Sequence, residues 1–271
     1  MGVILTGVSA DAVTYHDSLA ADWEQRYRKR SFMAREAVLQ KCLEGRSLSG
    51  QIWLDAGCGT GTLSRWLAAR GCHVLGVDAS PEMIAAASQF TRLPAAEPRF
   101  ERAHIEHLGM QDGSCDGLLC SSVLEYVANP TACLTEFSRV LKPGGLLLVS
   151  IPNRHSLVRQ VQLRCHQLSS LMGTRWMRFL DYSRQQYSRR EFQELLTQTG
   201  FALEKVLPFG SPLPRLAQRS RHWGSLLMFM ARKLRRCAAS EPRAEIPSAT
   251  RDLRDTITRV WLASLRNCTT T

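Results

Sequence analysis

Leu54-Asp55-Ala56-Gly57-Cys58-Gly59-Thr60-Gly61 is the stretch on which the fold turns. Its upstream side, from Gln51 to Ala56, is a short apolar run that reads as a buried strand, and downstream Leu63, Trp66 and Leu67 recur at helical spacing. Glycines between a strand and a helix let the backbone approach a ligand closely, and the helix N-terminus offers unpaired N–H groups. A nucleotide-like cofactor fits such a turn. A GxGxxG dinucleotide loop would need glycine at position 62, where Thr62 stands, and no GxxxxGK[ST] sequence occurs. Hydride transfer and P-loop chemistry are thereby set aside.

Working outward, His73 to Val77 is the next apolar run and ends at Asp78, 21 residues after Gly57. Doubly wound folds place an acidic residue there to take ribose hydroxyls, and two acceptor oxygens match a cis-diol. Ser80-Pro81 supplies an N-cap and a first-turn proline for a helix through Met83, Ile84 and Ala87. Phe100 to Ile105 and Gly117 to Ser121 read as strands. A helix from Thr131 to Leu141 stops at Lys142-Pro143-Gly144-Gly145, and Leu146 to Ile151 is the nearly unbroken apolar run of a strand buried on both faces. This strand-helix rhythm predicts a parallel sheet with helices on both sides. Residues 154–187 read as a helical insertion, Ser188 to Gln198 as a helix and Gly200 to Leu207 as a strand. Gly224 to Arg232 fits either a last buried strand or an amphipathic helix, because a short apolar run does not settle its period. Upstream, Leu19, Trp23, Tyr27, Ala34, Val38 and Leu39 predict a helical lid over residues 11–45. Beyond Pro242 and Pro247, Leu253, Ile257, Val260, Trp261 and Leu265 predict a terminal amphipathic helix.

The 271 residues are 44% hydrophobic and 22% charged, which excludes disordered and fibrous classes. No stretch reaches the roughly 18 to 20 consecutive apolar residues of a membrane span, and MGVILTGVSADAV lacks the basic leader and apolar core of an export signal. The nine cysteines include no Cys-x-x-Cys pair, which argues for a reducing compartment and against structural zinc. A cytoplasmic location is expected. Of the net charge of +11, +8 falls from residue 211 onward, and Arg154 to Arg190 holds eight arginines opposed only by Asp181. Such stretches attract phosphate, acidic substrates or anionic membrane surfaces, and a plain solvated face is the competing reading.

WLDAGCGTGTLSRWLA, VLGVDASPEMI, CDGLLCSSVLEYV and EFSRVLKPGGLLLVSIPN, in that order, resemble the class I S-adenosylmethionine-dependent methyltransferases, within the branch containing the ubiquinone-biosynthesis O-methyltransferases. The resemblance is close over residues 50–153 and looser over 188–207. It implies a Rossmann-like α/β fold whose mostly parallel seven-stranded sheet carries helices on both faces and a helical insertion before the sixth strand. The implied organisation is an N-terminal lid over 1–47, a methyltransferase domain over 48–234 and a basic tail over 235–271. It also favours strand over helix for Gly224 to Arg232, since Ala231-Arg232-Lys233 matches the ending of an antiparallel seventh strand.

For the cofactor S-adenosylmethionine, the resemblance implies that Gly57, Cys58, Gly59 and Gly61 surround the methionine part, with Asp55 bracing the loop from below. Asp78 would hold the ribose, Ala79 and Met83 would pack on the adenine, the Ile105 amide would read its edge, and Ser121 would lie near the amino group. His104 stands where similar enzymes carry an aspartate. Bulk at Gly59 is expected to abolish binding without unfolding the chain. Tyr126, Glu125 and His155 are the candidate catalytic groups for an oxygen nucleophile that gains from a nearby base. Trp176, Phe179, Tyr182 and Tyr187 are candidate pocket walls. No metal is expected.

The expected partner is a small-molecule acceptor methylated at oxygen. Nucleic acid is demoted, because Cys120-Ser121-Ser122-Val123 stands where amino-methyltransferases of RNA and DNA carry an acidic-or-Asn-Pro-Pro-aromatic motif, and no proline precedes a cysteine. An RNA- or protein-directed enzyme docking through its arginines and a non-catalytic cofactor-binding module are the alternatives, and the tail's charge suggests peripheral contact with an anionic membrane surface.

Overall fold

A computed structural model describes residues 10–23, 25, 30–89, 97–174, 177–211 and 222–235 of the chain. The tail from 236, with its expected amphipathic helix, lies outside the described residues, as do Tyr27 and Trp176. Seven strands form one sheet: β1 (Ile52–Ala56), β2 (His73–Asp78), β3 (Arg99–Arg102), β4 (Cys115–Ser121), β5 (Leu141–Pro152), β6 (Phe201–Phe209) and β7 (Leu226–Lys233). Their order is β3-β2-β1-β4-β5-β7-β6. The first five are mutually parallel, and β7 lies antiparallel between β5 and β6.

Neighbouring residues on the central strands go to opposite faces, and both faces are apolar. Leu54, Leu118 and Leu147 join one core with Phe137, Phe192 and Phe229. Trp53, Leu119 and Leu148 join the other with Leu39, Leu67 and Met228. Both sides of the sheet must therefore be covered, as parallel sheets require. Trp53 on β1 is in register with Gly117 on β4, and a Cβ on that glycine would overlap the indole.

The described helices are α1 (Ala10–Asp17), α2 (Arg30–Leu43), α3 (Thr62–Ala68), α4 (Pro81–Gln89), α5 (Pro130–Val140), α6 (Leu157–Leu171), α7 (Phe179–Tyr182) and α8 (Arg189–Gln198). Local chemistry sets their starts. Ser80 Oγ accepts from the Met83 amide, Asn129 caps α5 before Pro130, and Ser188 with Glu191 closes a capping box on α8.

The structure differs from the sequence reading in two places. The lid is broken: α1 ends where Leu19 N donates to His16 O, an i→i−3 bond, and a 3₁₀ turn follows over Ala20–Asp22. That bend brings His16, Leu19 and Trp23 to one cavity. The chain is also already extended at Leu141, so β5 begins before the Lys142-Pro143-Gly144-Gly145 turn, and its register on β4 jumps from Cys115↔Leu141 to Gly117↔Leu146. Elsewhere the agreement is close, and Gly224 to Arg232 holds a strand, not a helix.

Candidate active site

Strand order reverses between β1 and β4, and the crevice above such a switch point is where open α/β sheets bind ligands. The loops leaving β1 and β4 meet there. Gly57 N and Cys58 N both donate to Val77 O, at 2.7 and 3.0 Å, which folds the chain sharply off β1. Gly57 takes φ +77°, and a Cβ on it would overlap the Val123 side chain from the loop after β4. Ser122 in that second loop holds φ +60°, a conformation rarely occupied by serine. It is held there by Ser150 Oγ, which accepts the Ser122 amide at 2.9 Å, and by Arg35, which donates to Ser122 Oγ at 3.1 Å. Left-handed non-glycine residues of this kind collect at functional sites.

A cavity of about 370 Å³ opens beside these loops, within the roughly 300 to 1,000 Å³ of small-molecule sites. Gly57, Cys58, Gly59, Asp78, Ala79, Met83, Ile105 and Ser121 all line it. Asp55 and Gly61 do not. Asp55 is buried beneath the loop and accepts from Ser64 Oγ at 2.6 Å, the bracing position expected of it. Gly61 is a correction: at φ +80° it precedes α3, and a Cβ there would overlap Phe100, so it shapes the turn instead of facing the cavity. His104 is exposed and lies outside the lining.

Asp78 is the polar centre of the cofactor end. Its Oδ2 accepts from Gly59 N and its Oδ1 from Ser80 N, both at 2.9 Å. Burial pushes its carboxyl above the usual carboxylate range, against the pull of those two amides and of the His16 charge. Each oxygen keeps a second lone pair for a hydroxyl donor. A left-handed glycine cradle that a side chain would fill, beside a buried carboxylate that gains from further donors, fits S-adenosylmethionine. Asp78→Ala is expected to weaken binding of S-adenosylhomocysteine by about 1.5 to 3 kcal/mol through lost charge-assisted bonds. Titration calorimetry checks this, and equal affinity in the variant would remove Asp78 from the site.

The three candidate catalytic groups fare differently. Tyr126 lines the cavity, but burial and the neighbouring Glu125 push its hydroxyl well above the usual phenol range, so it stays protonated and serves as wall and donor. Glu125 also lines the cavity and is fixed: its Oε2 accepts from Ser183 Oγ at 2.5 Å and from Arg159 Nη2 at 3.4 Å. His155 is exposed and off the cavity, with its amide on Asn153 Oδ1. The expectation of a base at His155 or Tyr126 is therefore withdrawn.

Of the candidate walls, Phe179 lines the cavity. Tyr182 stacks on Tyr15 of α1 with centroids 4.8 Å apart. Tyr187 packs into the core against Phe192. Sequence reasoning missed Tyr15, His16, Trp23, Arg35 and Arg159, all of which line the cavity. His16 Nδ1 donates to Ala12 O at 2.7 Å, and its ring stands edge-on to Tyr126 at 4.9 Å. Asp17, next to it, accepts from Ser80 Oγ and ties α1 to the loop after β2.

This sheet order and switch-point cavity define a class I S-adenosylmethionine-dependent methyltransferase fold. Residues 54–149 match the family described as "Methyltransferase domain". Ubiquinone biosynthesis O-methyltransferase of Dechloromonas aromatica (strain RCB) is 36% identical over 110 residues, covering 40% of this chain and 47% of that protein. The protein of the same name from Xylella fastidiosa (strain M23) is 39% identical over 109 residues, covering 40% and 44%. The chain thus spans less than half the length of these curated relatives. Among solved structures, magnesium protoporphyrin IX methyltransferase from Synechocystis PCC 6803 with bound S-adenosylhomocysteine aligns with TM-score 0.60 at 20% identity, over 82% of this chain and 98% of that one. An S-adenosylmethionine-dependent methyltransferase from Mesorhizobium loti aligns with TM-score 0.57 at 22% identity, over 73% and 97%. At such identities the structural likeness bears on the fold alone.

Proposed function

We propose that the chain transfers the methyl group of S-adenosylmethionine to an oxygen of a small aromatic acceptor. The observation that carries this is a cavity lined both by the glycine turn and Asp78 and by the rings of Tyr15, His16, Tyr126 and Phe179. Flat aromatic walls suit a planar ring. The similarity to ubiquinone-biosynthesis O-methyltransferases supports oxygen as the target.

In this reading Gly57, Cys58, Gly59, Asp78, Ala79, Met83, Ile105 and Ser121 hold the cofactor, which supplies an electrophilic methyl on a sulfonium. The protein's task is alignment and exclusion of water. Met83 and Ile105 close the apolar side of the cavity, and both are almost wholly buried. We assign proton removal from the acceptor hydroxyl to His16. Its Nδ1 hydrogen is committed to the Ala12 carbonyl, so Nε2 is the nitrogen that would take up the proton. His16→Gln is expected to lower kcat by about 10²-fold with KM little changed, the range of general-base catalysis. A variant with wild-type kcat and pH profile would overturn the assignment.

Location in the cytoplasm and a peripheral membrane contact stay with this proposal. Among the described residues no helix is long and apolar enough to cross a membrane. Methyl-labelled S-adenosylmethionine incubated with the protein and a cell extract is expected to label the low-molecular-weight fraction. Label confined to RNA or protein would favour the polymer-directed alternative.

A further inference from the structure

We propose that the acceptor carries a carboxylate, and that Arg159 is the group that recognises it. This rests on the methyltransferase reading above. Arg159 lines the cavity while 3% exposed, and among the described residues its buried Nε has no hydrogen-bond partner. An unpaired buried donor on a charged group is costly and rare in native structures.

The surroundings make the arginine harder to explain as structural. Ser156 caps α6, and Arg159 occupies the third helical position, where its amide donates to Ser156 Oγ at 3.3 Å. A cation in the first turn meets the positive end of the helix dipole, and that turn contains no acidic residue. One carboxylate opposes it. Glu125 accepts from Nη2 at 3.4 Å, a long contact, while Ser183 Oγ accepts the shorter bond from the same nitrogen at 2.6 Å and donates its own hydrogen bond to Glu125 Oε2. Glu125 and Ser183 thus grip one nitrogen and set the plane of the guanidinium, with Nε left over. Arg35 on α2 acts electrostatically on the same Glu125, so two guanidinium groups share one carboxylate at this end of the cavity. Phe179 places its ring 5.6 Å from the Arg159 guanidinium carbon, so an aromatic acid would meet ring and cation together. With Nη2 held by Ser183 and Glu125, a carboxylate would be met by the remaining N–H groups of the guanidinium.

The test uses the full chain and four probes: 4-hydroxybenzoate and 4-hydroxyphenylacetate, each against its neutral amide. Binding is measured by calorimetry with S-adenosylhomocysteine present, after the affinity for S-adenosylhomocysteine alone is established. At least one acid is expected to bind tenfold or more tighter than its amide. Arg159→Gln is expected to reduce that preference to within about twofold while leaving the affinity for S-adenosylhomocysteine within threefold. Because the single variant leaves Glu125 buried without its cation, the pair Glu125→Gln/Arg159→Gln is measured alongside it, with the same loss of preference expected. Arg159→Lys keeps the charge without Nε and is expected to fall between the two.

The inference is overturned if no acid binds, if the amides bind equally well, or if the preference survives both glutamine variants. A drop in affinity for S-adenosylhomocysteine that matches the drop for the acid would assign Arg159 to the cofactor's own carboxylate, which also overturns it. Failure of S-adenosylhomocysteine to bind the wild-type chain would instead remove the methyltransferase reading on which the inference stands.

Discussion

Gly57→Val is expected to abolish detectable binding of S-adenosylhomocysteine and to lower stability by about 2 to 5 kcal/mol. Two costs add. A branched residue forced to φ +77° carries about 1 to 2 kcal/mol of backbone strain, and overpacking against Val123 adds typically 1 to 3 kcal/mol. The collision also pushes apart the loops after β1 and β4, whose separation sets the mouth of the cavity. Gly59 is the milder position. A Cβ there lies 3.2 Å from Trp23 Nε1, at φ +56°, so Gly59→Val is expected to lose binding with a smaller loss of stability. Thermal melting and calorimetry on both variants decide the ranking. A Gly57→Val protein that melts and binds like wild type would show that the two loops are not in the contact described.

The second large effect is a pH dependence of stability that runs opposite to the usual aspartate. Burial beneath the glycine loop raises the Asp55 carboxyl to about 7 from a solvated value of 3.8, with Asp78 adding to the rise and Ser64 opposing both. The folded chain therefore prefers the protonated acid. Asp55 favours folding fully below about pH 4; that contribution is lost as the pH rises toward 7, and above it the folded chain holds the charge in a poor solvent. At about 1.36 kcal/mol per pH unit, the loss across this window is on the order of 4 kcal/mol. Asn at position 55 can still accept from Ser64 and cannot ionise. Urea unfolding at pH 4.5, 6, 7.5 and 9 is expected to show a decline in wild type from pH 4.5 to 7.5 that Asp55→Asn flattens. Identical slopes in the two proteins would place the Asp55 proton elsewhere.

What the sequence made legible is what local rules decide. A glycine between a strand and a helix reports a tight turn wherever it stands, which is why the turn at Gly57 was legible. Whether Gly224 to Arg232 was strand or helix, local rules left open, and the family resemblance favoured the strand that is found. Arg159 was not, because among the eight arginines from 154 to 190 nothing local separates a buried guanidinium from a solvated one. Its burial depends on Glu125 and Ser183, 34 and 24 residues away. His16 was hidden likewise: it reaches the cavity only because α1 stops at a bend, and apolar spacing over 11–45 runs through that bend without marking it. Tyr126 was placed on the cavity, but its local sequence does not reveal how deeply the surrounding chain buries it.

The position of β7 bears on how the chain is made. Synthesis delivers β1 to β5 in an order that lets each find a partner among strands already present or soon to come, but β6 pairs with β7 alone, and β7 is made last of the seven. A chain without β7 presents the unpaired backbone edge of β5 from Leu146 to Pro152, with β6 left without a strand to pair with. Open edges of that kind recruit other chains. Pairing of β7 is therefore the step that closes both gaps in this half of the sheet.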